Sequence, residues 1–131
     1  MENCIFCKIA KGEIPSVKIW EDEKHLAILD INPNTEGMTL VLTKEHYDSD
    51  ATEMPDKPYK ELMIAAKKVA KILKKKLKVK MVGFVIEGLG VNHVHIKLYP
   101  LYKLDEGYIT TQLGPQKSTE ELNKIADRIR G

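Results

Sequence analysis

The segment His93-Val94-His95-Ile96-Lys97-Leu98-Tyr99 alternates polar and apolar residues. Strand side chains alternate faces, so His93, His95 and Lys97 share one side while Val94, Ile96 and Leu98 share the other. Two imidazoles and an ammonium, roughly 7 Å apart along the strand, are an odd choice for a solvated face. The pattern predicts one face given to the core and one given to chemistry. A second constellation begins at Cys4-x-x-Cys7, the only cysteines in the chain. As a disulfide this pair would close almost no loop. In a reducing compartment two such thiols are free or metal-bound, and two imidazoles would complete the ligand set of a closed tetrahedral zinc site. A redox pair is the competing reading of Cys-x-x-Cys, but such a pair sits where a strand opens into a helix, whereas this one starts the chain.

Those residues need a frame. Val17 to Asp30 reads as two short apolar runs around a charged turn, a hairpin pattern. His25 falls in or beside that turn, among Glu and Lys, and is expected on the surface without a role. After Asn32-Pro33-Asn34-Thr35-Glu36-Gly37, rich in turn formers, Met38 to Thr43 reads as a buried strand. Tyr59, Leu62, Met63, Ala66, Val69, Ala70, Leu73 and Leu77 recur at helical spacing, which predicts an amphipathic helix over Pro58 to Lys76 with Pro58 in its first turn. Met81 to Ile86 reads as a strand, Glu87-Gly88-Leu89-Gly90 as a turn, and Val91 to Tyr99 as a strand closed by Pro100. Ser118-x-x-Glu121 has the form of a capping box, opening a last helix with Leu122, Ile125, Ala126 and Ile129 on one stripe. The order β-β-β-α-β-β-α predicts an α+β domain with an antiparallel sheet of about five strands, one long amphipathic helix and a C-terminal helix.

At 131 residues, 43% hydrophobic and 31% charged, the chain is sized for a single domain spanning 1–131. Its 21 Lys+Arg nearly cancel against 19 Asp+Glu, so the molecule as a whole is no electrostatic magnet for nucleic acid or an anionic membrane. Lys67, Lys68, Lys71, Lys74, Lys75, Lys76, Lys78 and Lys80 form a dense basic stretch that reads as the solvated face of a helix. Without interleaved aromatic side chains to stack bases, they argue against a specific nucleic-acid partner. No apolar run approaches the roughly 20 residues that cross a bilayer, and the N-terminus lacks the basic start and apolar stretch of a secretory signal. A cytoplasmic location is expected, with no membrane partner.

The alternating segment resembles the signature of the histidine triad (HIT) family, His-φ-His-φ-His-φ-φ with φ apolar. Cys4-Ile5-Phe6-Cys7-Lys8-Ile9, Gly12-Glu13-Ile14-Pro15, Ala27-Ile28-Leu29-Asp30-Ile31-Asn32-Pro33 and Leu40-Val41-Leu42-Thr43-Lys44-Glu45-His46 resemble further family blocks in the same order. The resemblance thus covers about residues 3–101, the core of a single HIT domain, and leaves 102–131 as a C-terminal extension and helix. It implies the HIT-like fold and a homodimer paired through the helix and a sheet edge. It also implies cleavage or transfer at the α-phosphorus of a purine nucleotide, an AMP-containing phosphoramidate or dinucleotide-type substrate, through a covalent nucleotidyl-histidine. Matched onto this chain, the nucleophile is His95, whose ring attacks through one nitrogen while the other is held as a hydrogen-bonded N–H. Asp30 accepts hydrogen bonds from the ribose hydroxyls. Ile5, Phe6, Ile9, Leu29 and Ile31 enclose the base, and Gly90 and Val91 lie against the nucleotide. Family members with an N-terminal Cys-x-x-Cys resemble this pattern, and the resemblance implies structural Zn2+ held by that pair, by the histidine of a Lys-x-His segment, here His46, and by the first signature histidine, here His93.

The chain also departs from the family. Lys97 stands where the third histidine lies, and a lysine brings a permanent charge and three donors but no proton relay near neutral pH. As a catalytic residue it is expected to neutralise a phosphate oxygen or to disfavour protonation of His95. The segment Glu87 to Asn92 lacks the Gln-Ser/Thr pair that donates to the phosphate, and the backbone N–H groups of Gly88 and Gly90 are candidates to replace it. Met38 and Ile86 stand where many members carry His and Asn. The leading expectation is a hydrolase or nucleotidyl transferase. The alternatives are a non-catalytic nucleotide-binding module and a zinc-stabilised interaction protein.

Overall fold

The computed structural model describes residues 3–107 and 111–131. Strands β1 (Lys18–Glu21), β2 (His25–Leu29), β3 (Thr39–Thr43), β4 (Met81–Val85) and β5 (His95–Leu101) pair antiparallel in the order β1-β2-β3-β5-β4. Every position of β2 and β3 is buried, which is why these strands read as unbroken apolar runs rather than as alternation. One face carries Ala27, Leu29, Val41, Ile96 and Leu98 in a core shared with helices α2 (Asp56–Leu77) and α3 (Thr119–Arg130). The buried stripe of α2, including Leu62, Ala66, Val69, Leu73 and Leu77, follows the spacing read from the sequence. Its start at Asp56 keeps Pro58 in the first turn, where no backbone donor is needed. The capping box is formed, with Ser118 Oγ accepting from the Glu121 N–H at 3.1 Å and the Glu121 carboxylate accepting from the Ser118 N–H at 3.3 Å.

The opposite face is not given to chemistry alone. Leu26, Ile28, Leu40, Leu42 and Tyr99 form a second apolar cluster with Cys4, Phe6 and Cys7, brought in by helix α1 (Ile5–Ala10). This six-residue helix is too short to show a helical period, so the sequence pattern missed it. Other expectations are corrected in the same region. Strand β5 begins at His95 rather than Val91 and runs through Pro100 to Leu101. The Pro100 carbonyl accepts from Thr35 Oγ1 at 3.1 Å, so its donorless nitrogen faces the same side, past the last β3 pair Thr39–Leu98, where no ladder bond is lost. His25 is only 5% exposed instead of lying on the surface. Its N–H and its Nδ1 both reach Asp22 Oδ1, at 2.6 and 3.0 Å, and Lys24 N–H donates to the same oxygen, so the carboxylate folds the turn and draws the ring inward. Among the described residues no helix is long and apolar enough to cross a membrane.

Candidate active site and metal centre

His95 opens β5 and is 4% exposed. Its Nδ1 lies 2.7 Å from the His93 carbonyl oxygen. A carbonyl can only accept, so Nδ1 carries the hydrogen and the neutral ring keeps its lone pair at Nε2. Burial, with the nearby Lys97 charge, holds the His95 pKa below the ordinary histidine value, against the opposing pull of the His93 carbonyl, Glu87 and Asp30. The Phe6 ring meets the imidazole edge-on, with centroids 5.1 Å apart at 83°, and fixes the ring plane. The result is a neutral imidazole in one tautomer and one orientation, the state a nitrogen nucleophile requires.

A cavity of about 310 Å³ opens beside this ring. His95 and Lys97 line it from β5, and Leu29, Asp30 and Ile31 line it from the end of β2. Ile5, Phe6 and Ile9 reach it from α1, and Gly90 and Val91 from the loop before β5. Residues spread over 93 positions of sequence are thus brought into one wall. Asp30 is held by the turn that follows it, its Oδ1 accepting from the Asn32 N–H at 2.8 Å. The loop approaching β5 turns through Gly88 and Gly90, at φ +73° and +89°, a left-handed conformation that side chains disfavour.

Lys97 is not a bare charge. Its Nζ lies 2.7 Å from Glu87 Oε1, and both side chains are largely buried. The contact is an ion pair rather than an aligned hydrogen bond, because neither Glu87 oxygen has a hydrogen-bond partner among the described residues. The sequence pointed to Glu87 only as a turn residue. The pairing of Val85 with Lys97 across β4 and β5 brings it alongside, and nothing in the local pattern announces that register. Leu89 and Leu113 also line the cavity and were not anticipated.

On the other side of Phe6 the four expected metal ligands converge. The ligand atoms of Cys4, Cys7, His46 and His93 all lie within 4.8 Å of one another. His93 Nδ1 is 3.2 Å from Cys4 Sγ and 3.3 Å from Cys7 Sγ, and His46 Nδ1 is 3.4 Å from Cys7 Sγ. Metal–ligand bonds of 2.0–2.3 Å at tetrahedral angles separate ligand atoms by roughly 3.3–3.8 Å, so the donor set and its spacing fit zinc. The Cys-x-x-Cys spacing has a local cause, because Cys4 is the N-cap of α1 and its sulfur accepts the Cys7 N–H at 3.2 Å. Each imidazole is anchored through its far nitrogen, His93 Nε2 donating to the Thr43 carbonyl at 2.6 Å and His46 Nε2 to Asp48 at 3.1 Å, so both Nδ1 lone pairs face the sulfurs. Burial opposes ionisation of Cys4, but its hydrogen bonds with Cys7 and His46 outweigh burial and lower its pKa, while burial and the Cys4 sulfur push Cys7 up to about 11.

Comparison with known proteins places this architecture. The HIT domain model matches residues 11–104. The chain belongs to the HIT domain family. A HIT-like protein of Methanocaldococcus jannaschii is 39% identical over 98% of this chain and 99% of its own length. An adenosine 5'-monophosphoramidase of Schizosaccharomyces pombe is 33% identical over 98% of this chain and 99% of its own. The crystal structure of a Zn-bound histidine triad family protein from Mycobacterium smegmatis superposes with a TM-score of 0.82 at 27% identity, covering 98% and 91% of the two chains. In HIT terms, the signature strand of this protein is β5 with the residues that lead into it, and Cys4 and Cys7 precede the stretch that the domain model matches.

Proposed function

We propose that this HIT protein is a hydrolase that releases AMP from a phosphoramidate of AMP, with His95 as nucleophile. The observation that carries the reading is the 2.7 Å contact of His95 Nδ1 with the His93 carbonyl, which leaves a neutral imidazole with its lone pair at Nε2 beside the cavity lined by Asp30 and Lys97. The similarity to the S. pombe phosphoramidase supports the substrate class. Asp30 accepts from the ribose hydroxyls and the apolar wall encloses the base. The Nε2 lone pair forms a bond to the α-phosphorus as the bond to the leaving nitrogen breaks; the bonding pair stays with that nitrogen, which takes a proton from solvent water and departs as the amine. Water then attacks phosphorus and gives a proton to solvent, the bond from phosphorus to Nε2 breaks with its pair returning to the ring, and AMP leaves with the imidazole neutral. Phosphate oxygens compete with Glu87 for Lys97, whose charge offsets theirs. A zinc ion held by Cys4, Cys7, His46 and His93 would have no open position, so it would supply stiffness to α1 and the strand entrance rather than Lewis acidity.

The same proposal includes a homodimer. Strand β4 is a sheet edge with Met81 and Phe84 exposed, apolar groups that a second copy would cover. Sedimentation that finds only the 14.9 kDa species would remove this part. The decisive assay is AMP release from adenosine 5'-phosphoramidate. His95→Ala is expected to reduce it by at least about 10³-fold. AMP bound without any release by the wild type would instead favour a nucleotide-binding module without turnover.

A further inference from the structure

The C-terminal segment from Gln112 turns back onto the cavity. Gly114 N–H donates to the Asn32 carbonyl at 3.1 Å, and Lys117 N–H donates to the Ile31 carbonyl at 2.8 Å. Asn32 Nδ2 donates to the Gly114 carbonyl at 3.3 Å, and Asn34 Nδ2 to the Gln112 carbonyl at 2.8 Å. Residues 112–117 are therefore laid along 31–34, the turn that leaves Asp30. The approach is so close that a Cβ at Gly114 would collide with the Pro33 carbonyl oxygen. Within this frame Leu113 is fixed between two anchored neighbours, 79% exposed and yet lining the cavity. Leaving a leucine in water forgoes the gain from burying it, unless something apolar arrives to cover it. Ile31, on the strand-end side of the same cavity, is 54% exposed in the same way.

We infer that Leu113 is a base-contacting residue, the outer wall against which the base of a bound nucleotide packs. The inference rests on the nucleotide reading of the cavity, and it adds a side chain from the C-terminal extension to that site. The direction follows from the anchors. The extension is tied to Ile31 and Asn32, which flank the Asp30 end rather than the His95 and Lys97 end, so Leu113 meets the nucleoside side of the ligand and not its phosphate. Its contact is apolar and edge-blind, so it adds affinity for a base without selecting hydrogen-bonding groups.

The test is NMR titration of the full chain with AMP and, separately, with ribose 5-phosphate, which lacks the base. Leu113→Ser changes an exposed residue and leaves the fold intact. Gly114→Val pushes the whole extension off the Pro33 carbonyl. Leu113→Ser is expected to weaken AMP binding about five- to tenfold, the loss of one apolar contact, with ribose 5-phosphate binding unchanged, and Gly114→Val is expected to weaken AMP binding at least as much. AMP affinity within twofold of wild type in Leu113→Ser, while Asp30→Asn still weakens it, would overturn the inference and leave the nucleotide reading standing. An equal loss for AMP and ribose 5-phosphate would also overturn it, because the effect would not belong to the base. A wild type that binds no AMP at all would overturn both readings.

Discussion

The ligand atoms of Cys4, Cys7, His46 and His93 crowd within 4.8 Å of one another, whereas the residues around Asp30 and Lys97 enclose about 310 Å³ of open space. The two regions meet at Phe6, whose ring lies edge-on to both His93 and His95, at 5.9 and 5.1 Å. Around the cysteines every donor already faces a partner within the chain, and the anchors behind His46 and His93 leave little freedom. Around the cavity the polar groups are few, held from behind, and turned toward a space the chain itself does not fill. The difference teaches a division of labour. The closed region fixes where α1 and the start of β5 sit, and the open region spends that rigidity on a ligand.

If that division is right, variants at the two ends should fail in different ways. Cys7→Ser should give the largest effect. It should abolish stoichiometric zinc binding and lower the melting temperature by about 10 °C or more, since metal-binding energy is folding energy in such sites. Calorimetry with parallel metal analysis checks this, and an unchanged melting temperature with lost turnover would break the comparison. Asp30→Asn should do the reverse, leaving melting unchanged while weakening AMP binding about tenfold or more, through the loss of charge-assisted hydrogen bonds. Titration calorimetry reads that directly. The smallest effect, and the sharpest, belongs to the double variant Lys97→Met with Glu87→Gln, which avoids leaving a buried charge unpaired. Only neutral His95 can attack, so activity falls as pH drops through its pKa, which burial and Lys97 hold below the ordinary 6.5. Lys97 lowers that pKa more than Glu87 raises it, so removing both raises the pKa and moves the acid limb of the kcat–pH profile to higher pH. An acid limb that stays put would show that Lys97 acts on the phosphate alone.

The two regions were also unequally legible. The cysteine and histidine cluster could be read because its chemistry is written in residue type and because the Cys-x-x-Cys spacing and the two-residue strand repeat are local, while His46, 39 positions from Cys7, came from the family resemblance. Asp30 was equally visible at the end of an apolar run. What escaped depends on contacts that span the chain. Glu87 comes to Lys97 only through the register of β4 on β5, and Leu113 only through hydrogen bonds between segments about 80 positions apart. His25 and Pro100 escaped for a related reason, since each breaks a local rule that a neighbour satisfies: Asp22 in one case, the early end of β3 in the other. The six residues of α1 carry too little periodicity to be read at all.

His93 serves both regions, but through different atoms: its ring faces the cysteines and its backbone carbonyl takes the Nδ1 hydrogen of His95. A carbonyl is common to every residue the genetic code can put at that position. A substitution at 93 therefore removes the ring's contacts with the sulfurs, Thr43 and Phe6, but it leaves in the chain the carbonyl that takes the Nδ1 hydrogen of His95.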